Sequence, residues 1–258
     1  MADEGEKSSA RSAIILAAVV ILVAAYCAMF GLQTLVWINA KHWASGNPWL
    51  LEVPQPLPPP SSQPIAASKG AALKAFTYEF TVPWHGNAKM TPTLTNVEFK
   101  FDSGQVVVFY DPEGQVDTLG ELRRANPNEY QRIQDIFAGT SLHTNYDLYR
   151  SVYSASPAQV SPFMSLNDAT RLNVLLLWKL SYGFDGGPGI WSFDFGDKRG
   201  FQFGDTLSEL PVTLRVFDDR NHQFRFVFLV VSGSNAKISQ DEIDAVVQSL
   251  QPIPLEER

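Results

Sequence analysis

Apolar and polar positions change their period several times along this chain, and each change predicts a different element. From Ala13 to Ile38, AIILAAVVILVAAYCAMFGLQTLVWI, no residue is charged. A run of that length crosses a hydrocarbon core about 30 Å thick as one helix rising about 1.5 Å per residue. The uncharged stretch extends from Ser12 to Ala40. That exceeds the apolar region of about 7 to 15 residues in a cleavable signal, and no convincing small-x-small site follows it. Cys27 does not make a lipoprotein signal, because Tyr26 precedes it where a small residue is needed. Residues 12–40 are therefore expected to stay as a transmembrane helix, with residues 1–11 as a short, polar, disordered tail. Lys7 and Arg11 precede the span and Lys41 follows it, a slight bias toward a cytoplasmic N-terminus and an extracytoplasmic domain. Trp37 and Trp43 sit where an interfacial aromatic belt belongs.

Periodicity is then lost. Between Asn47 and Ser68 come Pro48, Pro54, Pro56, Pro58, Pro59, Pro60 and Pro64. Proline fixes φ and removes a donor, so residues 41–72 read as a linker that favours polyproline II and forms no packed element. The expected role is a stiff spacer that lifts the domain from the bilayer. A PxxP ligand is the rival reading, but no basic residues flank the prolines.

From Phe76 the period becomes two. Phe76, Tyr78 and Phe80 alternate with polar residues, as do Val97, Phe99 and Phe101. Gln105 to Tyr110 is more continuously apolar, joined to the preceding strand by a turn at Asp102-Ser103-Gly104. A helical region follows. Asn126 caps, Pro127 takes the first position, Tyr130, Ile133 and Phe137 share a side, and Gly139 ends it. Thr144 to Tyr153 predicts a second helix, Ser156-Pro157 a short turn, and Ser165 with Asp168 opens a helix running to about Tyr182. Strands return at Trp191–Phe195, Phe201–Phe203, Val212–Val216 and Phe224–Val230 as two hairpins. Ser239 and Glu242 form a capping box for a last amphipathic helix with Ile243, Val246, Val247 and Leu250, stopped by Pro252 and Pro254. The soluble domain, 73–253, is thus expected to be α+β, with a short tail at 254–258. Its frame is a mostly antiparallel sheet of about seven strands with helices packed on one face and the other face wet, or covered by another molecule.

Charge and cysteine usage narrow the function classes. The net charge is −7 with no basic run, which excludes nucleic-acid binding by phosphate neutralisation. Cys27 is the only cysteine and lies inside the apolar stretch, so the domain has no disulfide and no thiolate chemistry.

The opening FTYEFTVPW and the closing FRFVFLVVSG…ISQDEIDAVVQSLQPI resemble the ends of PsbP-like domains. That resemblance is confined to the two ends of residues 76–253, and the helical insert from Asn126 to Tyr182 departs from it. It implies an α/β sandwich and a binding or assembly-support role without catalysis.

Candidate chemistry is sparse. His42, His85, His143 and His222 show no i, i+3 or i+4 spacing, and neither HExxH nor GxSxG occurs. The run Gly183 to Gly189 has its helix before it and its strand after it, the reverse of a phosphate cradle, so it reads as an entry loop. Trp84 and His85, just past the first strand, are the residues expected to form a pocket or contact. No catalytic residue, metal or cofactor is assigned. The reading is a membrane-tethered interaction or assembly domain, with the bilayer met through residues 13–38 and a protein partner in the same membrane or envelope. The alternatives are a membrane-anchored hydrolase with a spatially assembled site, or a subunit of an envelope complex.

Overall fold

One helix, α1 (Asp3–Gly46), carries the chain through the apolar run and past both of its expected ends. The computed structural model describes residues 3–57, 70–112, 117–137, 142–182 and 189–254, with the backbone alone for 3–18 and Thr118. Residues 3–11, expected to be disordered, are helical. Extending a helix that already exists needs no new nucleus. From Val19 to Gly46 this helix is long and apolar enough to cross a membrane, and little of it is buried by the protein itself.

The described part of the proline-rich segment, up to residue 57, is packed, which was not expected. Pro48–Leu51 is a turn of 3-10 helix with proline in its first turn, and Leu50 is fully buried. β1 (Gln55–Pro56) pairs in parallel with β7 (Ile190–Asp194), and the Leu57 amide donates to the Ser192 carbonyl at 2.8 Å. Proline is tolerated in both places because its missing donor falls at a helix start and on an edge strand. The remainder of the proline run, 58–69, lies outside the described residues, as do the expected helix stop at Gly139 and the glycines of 183–188.

The domain is α+β. Its main sheet has eight strands in the order β1-β7-β8-β9-β10-β6-β5-β4, antiparallel apart from β1. These are β4 (Ala88–Pro92), β5 (Asn96–Phe101), β6 (Gln105–Tyr110), β8 (Lys198–Phe203), β9 (Val212–Asp218) and β10 (Gln223–Val230), besides β1 and β7. The β5–β6 hairpin turns where expected. The Gly104 amide bonds the Phe101 carbonyl at 3.0 Å, and Gly104 takes φ +102°, which favours glycine.

The expected strand from Phe76 to Phe80 starts in a turn, and a strand that was not expected precedes it. β2 (Ala71–Ala75) folds back on β3 (Tyr78–Val82) through Phe76-Thr77, with Phe76 at φ 56°. The apolar phase shifts at Ala75-Phe76, from Leu73 and Ala75 before the turn to Tyr78 and Phe80 after it, and that shift was the signal of the turn. With β11 (Gln251–Pro252) these form a separate three-stranded sheet.

Both faces of the main sheet carry a layer, which corrects the expectation of helices on one face. On one side Phe99, Phe109, Phe224, Phe226 and Phe228 pack against Phe80, Trp84 and the helix α6 (Gln240–Ser249). Phe80 meets Phe99 and Phe226 edge to face, with ring centroids 5.9 and 5.3 Å apart. Such pairs add about 1 kcal/mol each beyond area burial. On the other side lie α2 (Thr118–Ala125), α3 (Pro127–Ile136), α4 (Asn145–Ser154), α5 (Leu166–Tyr182) and the end of α1. Their cluster includes Phe137, Leu148, Tyr153 and Leu176 against Phe201, Phe203 and Phe217 of the sheet. These helices cover the β7–β9 half. Over β10, β6 and β5 the same face presents the part-buried Val227, Val108 and Glu98 and the exposed Lys100. The wet face is therefore half a face, and Arg215, in the covered half, is buried.

Candidate functional site

The junction between α1 and the domain is built from three segments. On α1, Gln33, Val36 and Ala40 are buried, while Tyr26, Phe30, Trp37 and Trp43 are half-buried. Their spacing of three and four residues puts them on one stripe, and that stripe faces the domain. Trp37 and Trp43, expected in an interfacial belt, pack against the helical core cluster. α5 runs alongside in the same direction. Phe163, just before α5, meets Phe30 and Tyr26 edge to face, and Lys179, near its end, reaches the segment just past α1.

Lys179 has no exposed surface. Its ammonium donates to the carbonyls of Leu50 (3.3 Å), Glu52 (2.6 Å), Tyr153 (3.0 Å) and Ala155 (2.8 Å). Two of these belong to the segment after α1 and two to the end of α4 and the residue that follows it. The one side chain ties the juxtamembrane segment to the domain. Burial pushes its pKa down to about 8, and the Glu52 carboxylate pulls the other way. Glu52 itself accepts from the Gly189 amide at 2.8 Å, closing the segment onto the start of β7. In the sequence Lys179 looked like a polar interruption of an apolar helix. The signal was there: a lysine flanked by Trp178 and Leu180 must find partners once the helix is buried.

Of the residues expected to form a pocket, Trp84 is in the core, edge to face with Phe101 and Phe228. Its indole N–H has no hydrogen-bond partner among the described residues. His85 is exposed beside it. His42, His143 and His222 are also exposed, each on a separate segment.

A cavity of about 230 Å³ opens elsewhere, at the β9–β10 turn. Its walls include Asp197, Lys198, Asp218, Asp219, Arg220 and His222, and neither Trp84 nor His85. His222 Nδ1 lies 2.8 Å from Asp218 Oδ2, and Asp218 Oδ1 accepts from the amides of Arg220 and His222 at 3.0 and 2.8 Å. Asp218 thereby shapes the turn that brings the histidine back. Lys198 is nearly buried and donates to Asp197 at 2.6 Å. A carboxylate–imidazole pair can move a proton. No serine, threonine or cysteine among the described residues lines this cavity. Among the described residues no group of three or more His, Cys, Asp or Glu side chains is placed to hold a metal ion. The sequence matches no family model and no curated protein.

Proposed function

We propose that this chain is a single-pass membrane protein whose domain works by contact, as an extracytoplasmic interaction or assembly module held at one bilayer face. The observation that carries this reading is the junction. α1 is continuous into the domain, a stripe of it packs beside α5, and Lys179 clasps the segment that follows. A domain fixed in that way presents the same surfaces toward its neighbours in the membrane. The uncovered half-face of β10, β6 and β5 is the surface such a neighbour would meet. The resemblance of the chain ends to PsbP-like domains points the same way.

The hydrocarbon segment is then the part of α1 up to its first contacts with the domain at Tyr26 and Phe30, residues 12–30, spanning about 28 Å. Arg11 marks one boundary and Phe30 the other, with the N-terminus cytoplasmic.

The second reading, an anchored hydrolase, has the Asp218–His222 pair in its favour. Turnover of any substrate that is abolished by His222→Ala would put it first.

The contact reading is tested by a photo-reactive group at Lys100 in the full chain in its native membrane, with the same group at His143 as reference. One defined protein is expected from Lys100 alone; identical background from both positions overturns the reading. Protease added to intact cells is expected to remove the domain, and full protection would reverse the orientation.

A further inference from the structure

The residues that lead into α5 hold three large apolar side chains. Phe163 is 71% exposed, Leu166 is 50% exposed, and Met164 between them is half-buried. An isolated exposed leucine needs no explanation, but these three adjoin one another and adjoin α1. Phe163 lies 5.9 Å from the ring of Phe30 and 6.3 Å from that of Tyr26. Those two rings stand at the end of the helix segment assigned above to the hydrocarbon core. On α1, Met29 between these two rings and Leu22 one turn before Tyr26 are also exposed and apolar.

The surroundings are free of charge. From Ser151 to Asn167 the sequence has no Asp, Glu, Lys or Arg. The first charges along α5, Asp168 and Arg171, pair with each other at 3.3 Å. Several polar groups of the loop are bonded within it. The Phe163 amide donates to the Ser161 hydroxyl at 3.2 Å, the Met164 amide to the Ser161 carbonyl, and the Ser165 hydroxyl to Asp168 at 2.7 Å. Each donor already used within the loop lowers the cost of taking it out of water. The Tyr26 hydroxyl meets that of Thr34 at 2.9 Å, two turns toward the domain. Its ring therefore leans away from the bilayer centre, as an aromatic with one wet end does at a membrane surface.

We propose that Phe163, Met164 and Leu166 form a second membrane contact, seated in the headgroup–acyl boundary of the bilayer that α1 crosses. The occupant of this patch is lipid, because the patch continues the lipid-facing surface of the span without a charged break. The contact rests on α1 being a membrane span. Together the two contacts set the tilt of the domain against the membrane surface, which a span alone leaves free.

The test uses the full chain in phosphatidylcholine vesicles with Cys27→Ala as background and one spin label at a time, at Phe163→Cys, Leu94→Cys or Leu22→Cys. Leu94 is 97% exposed and serves as the aqueous reference. Expected is a label at 163 that is more accessible to oxygen than to a nickel chelate, at a depth of roughly 5–10 Å, with 94 aqueous and 22 deep. A label at 163 as accessible to nickel as the one at 94, with 22 still deep, overturns the second contact and leaves the span standing. An aqueous label at 22 removes the span and this contact with it. Dipolar broadening between labels at 163 would show that a second copy, not lipid, fills the patch.

Discussion

At the scale of single residues, two buried ionisable groups hold the structure by opposite means. Lys179 is satisfied by four carbonyls, and removing its ammonium leaves all four without that donor. Lys179→Met keeps most of the volume, so its cost isolates the clasp. A loss of about 3 kcal/mol in unfolding free energy is expected from denaturant titration of the full chain in detergent. Asp244 is 3% exposed and accepts from the Gln240 side chain at 2.9 Å, while Gln240 exchanges two bonds with Gln202. Burial raises its pKa to about 6, Asp241 adds to the rise, and the Gln240 bond opposes it. A folded pKa above the unfolded 3.8 means that the folded state holds the proton more tightly. The contribution is full below about pH 4 and is lost as the pH climbs through about 6. Wild type should therefore lose on the order of 2 kcal/mol between pH 4.5 and 7.5 relative to Asp244→Asn. Parallel melting curves across that range would contradict the assignment.

At the scale of elements, the segment after α1 behaves as part of the domain. The amides of Leu57 and Gly189 bond to Ser192 and Glu52, so both should exchange slowly with solvent in the full chain. Both should exchange faster in Lys179→Met, as hydrogen-exchange mass spectrometry would read. Equal rates in the two proteins would mean that the clasp does not hold the segment. This docking was the least legible part of the sequence. Proline count predicted an unpacked spacer, because local propensity says nothing of a distant lysine that lies 127 residues further along the chain. Elements set by local rules were legible. The Asn126 side chain does accept from the Glu129 amide, and Ser239 with Glu242 does form a capping box. The four strands from β7 to β10 lie where alternation put them. β4 escaped notice because its Lys89, Met90, Thr91 and Pro92 are all exposed and carry no burial period. The pairing of His222 with Asp218 was hidden for the opposite reason. It joins two ends of a turn whose residues looked like ordinary loop composition.

At the scale of the whole molecule, the proposed span places the bilayer by how far the domain reaches down α1. The apolar run suggested a membrane over residues 13–38, but the domain already flanks the helix from Tyr26 onward. A charge at Leu22 should thus be costly and one at Ile38 tolerated, although both are exposed and apolar. Leu22→Lys is expected to lower membrane insertion by the equivalent of about 3 kcal/mol, and Ile38→Lys to leave it unchanged, in a glycosylation-reporter assay. Equal losses at the two sites would return the membrane to the longer segment. The parallel packing of α1 on α5 has one more consequence. Transmembrane helices lean by about 20° on average, and they lean further when the bilayer thins. A helix with a swivel beneath its cargo absorbs that lean, whereas α1, as the proposed span, would pass it on to the domain. Its far edge would sweep sideways by roughly a third of its distance from the pivot for a lean of that size. Lipid thickness, a property of the solvent, would thereby set which neighbour the domain faces.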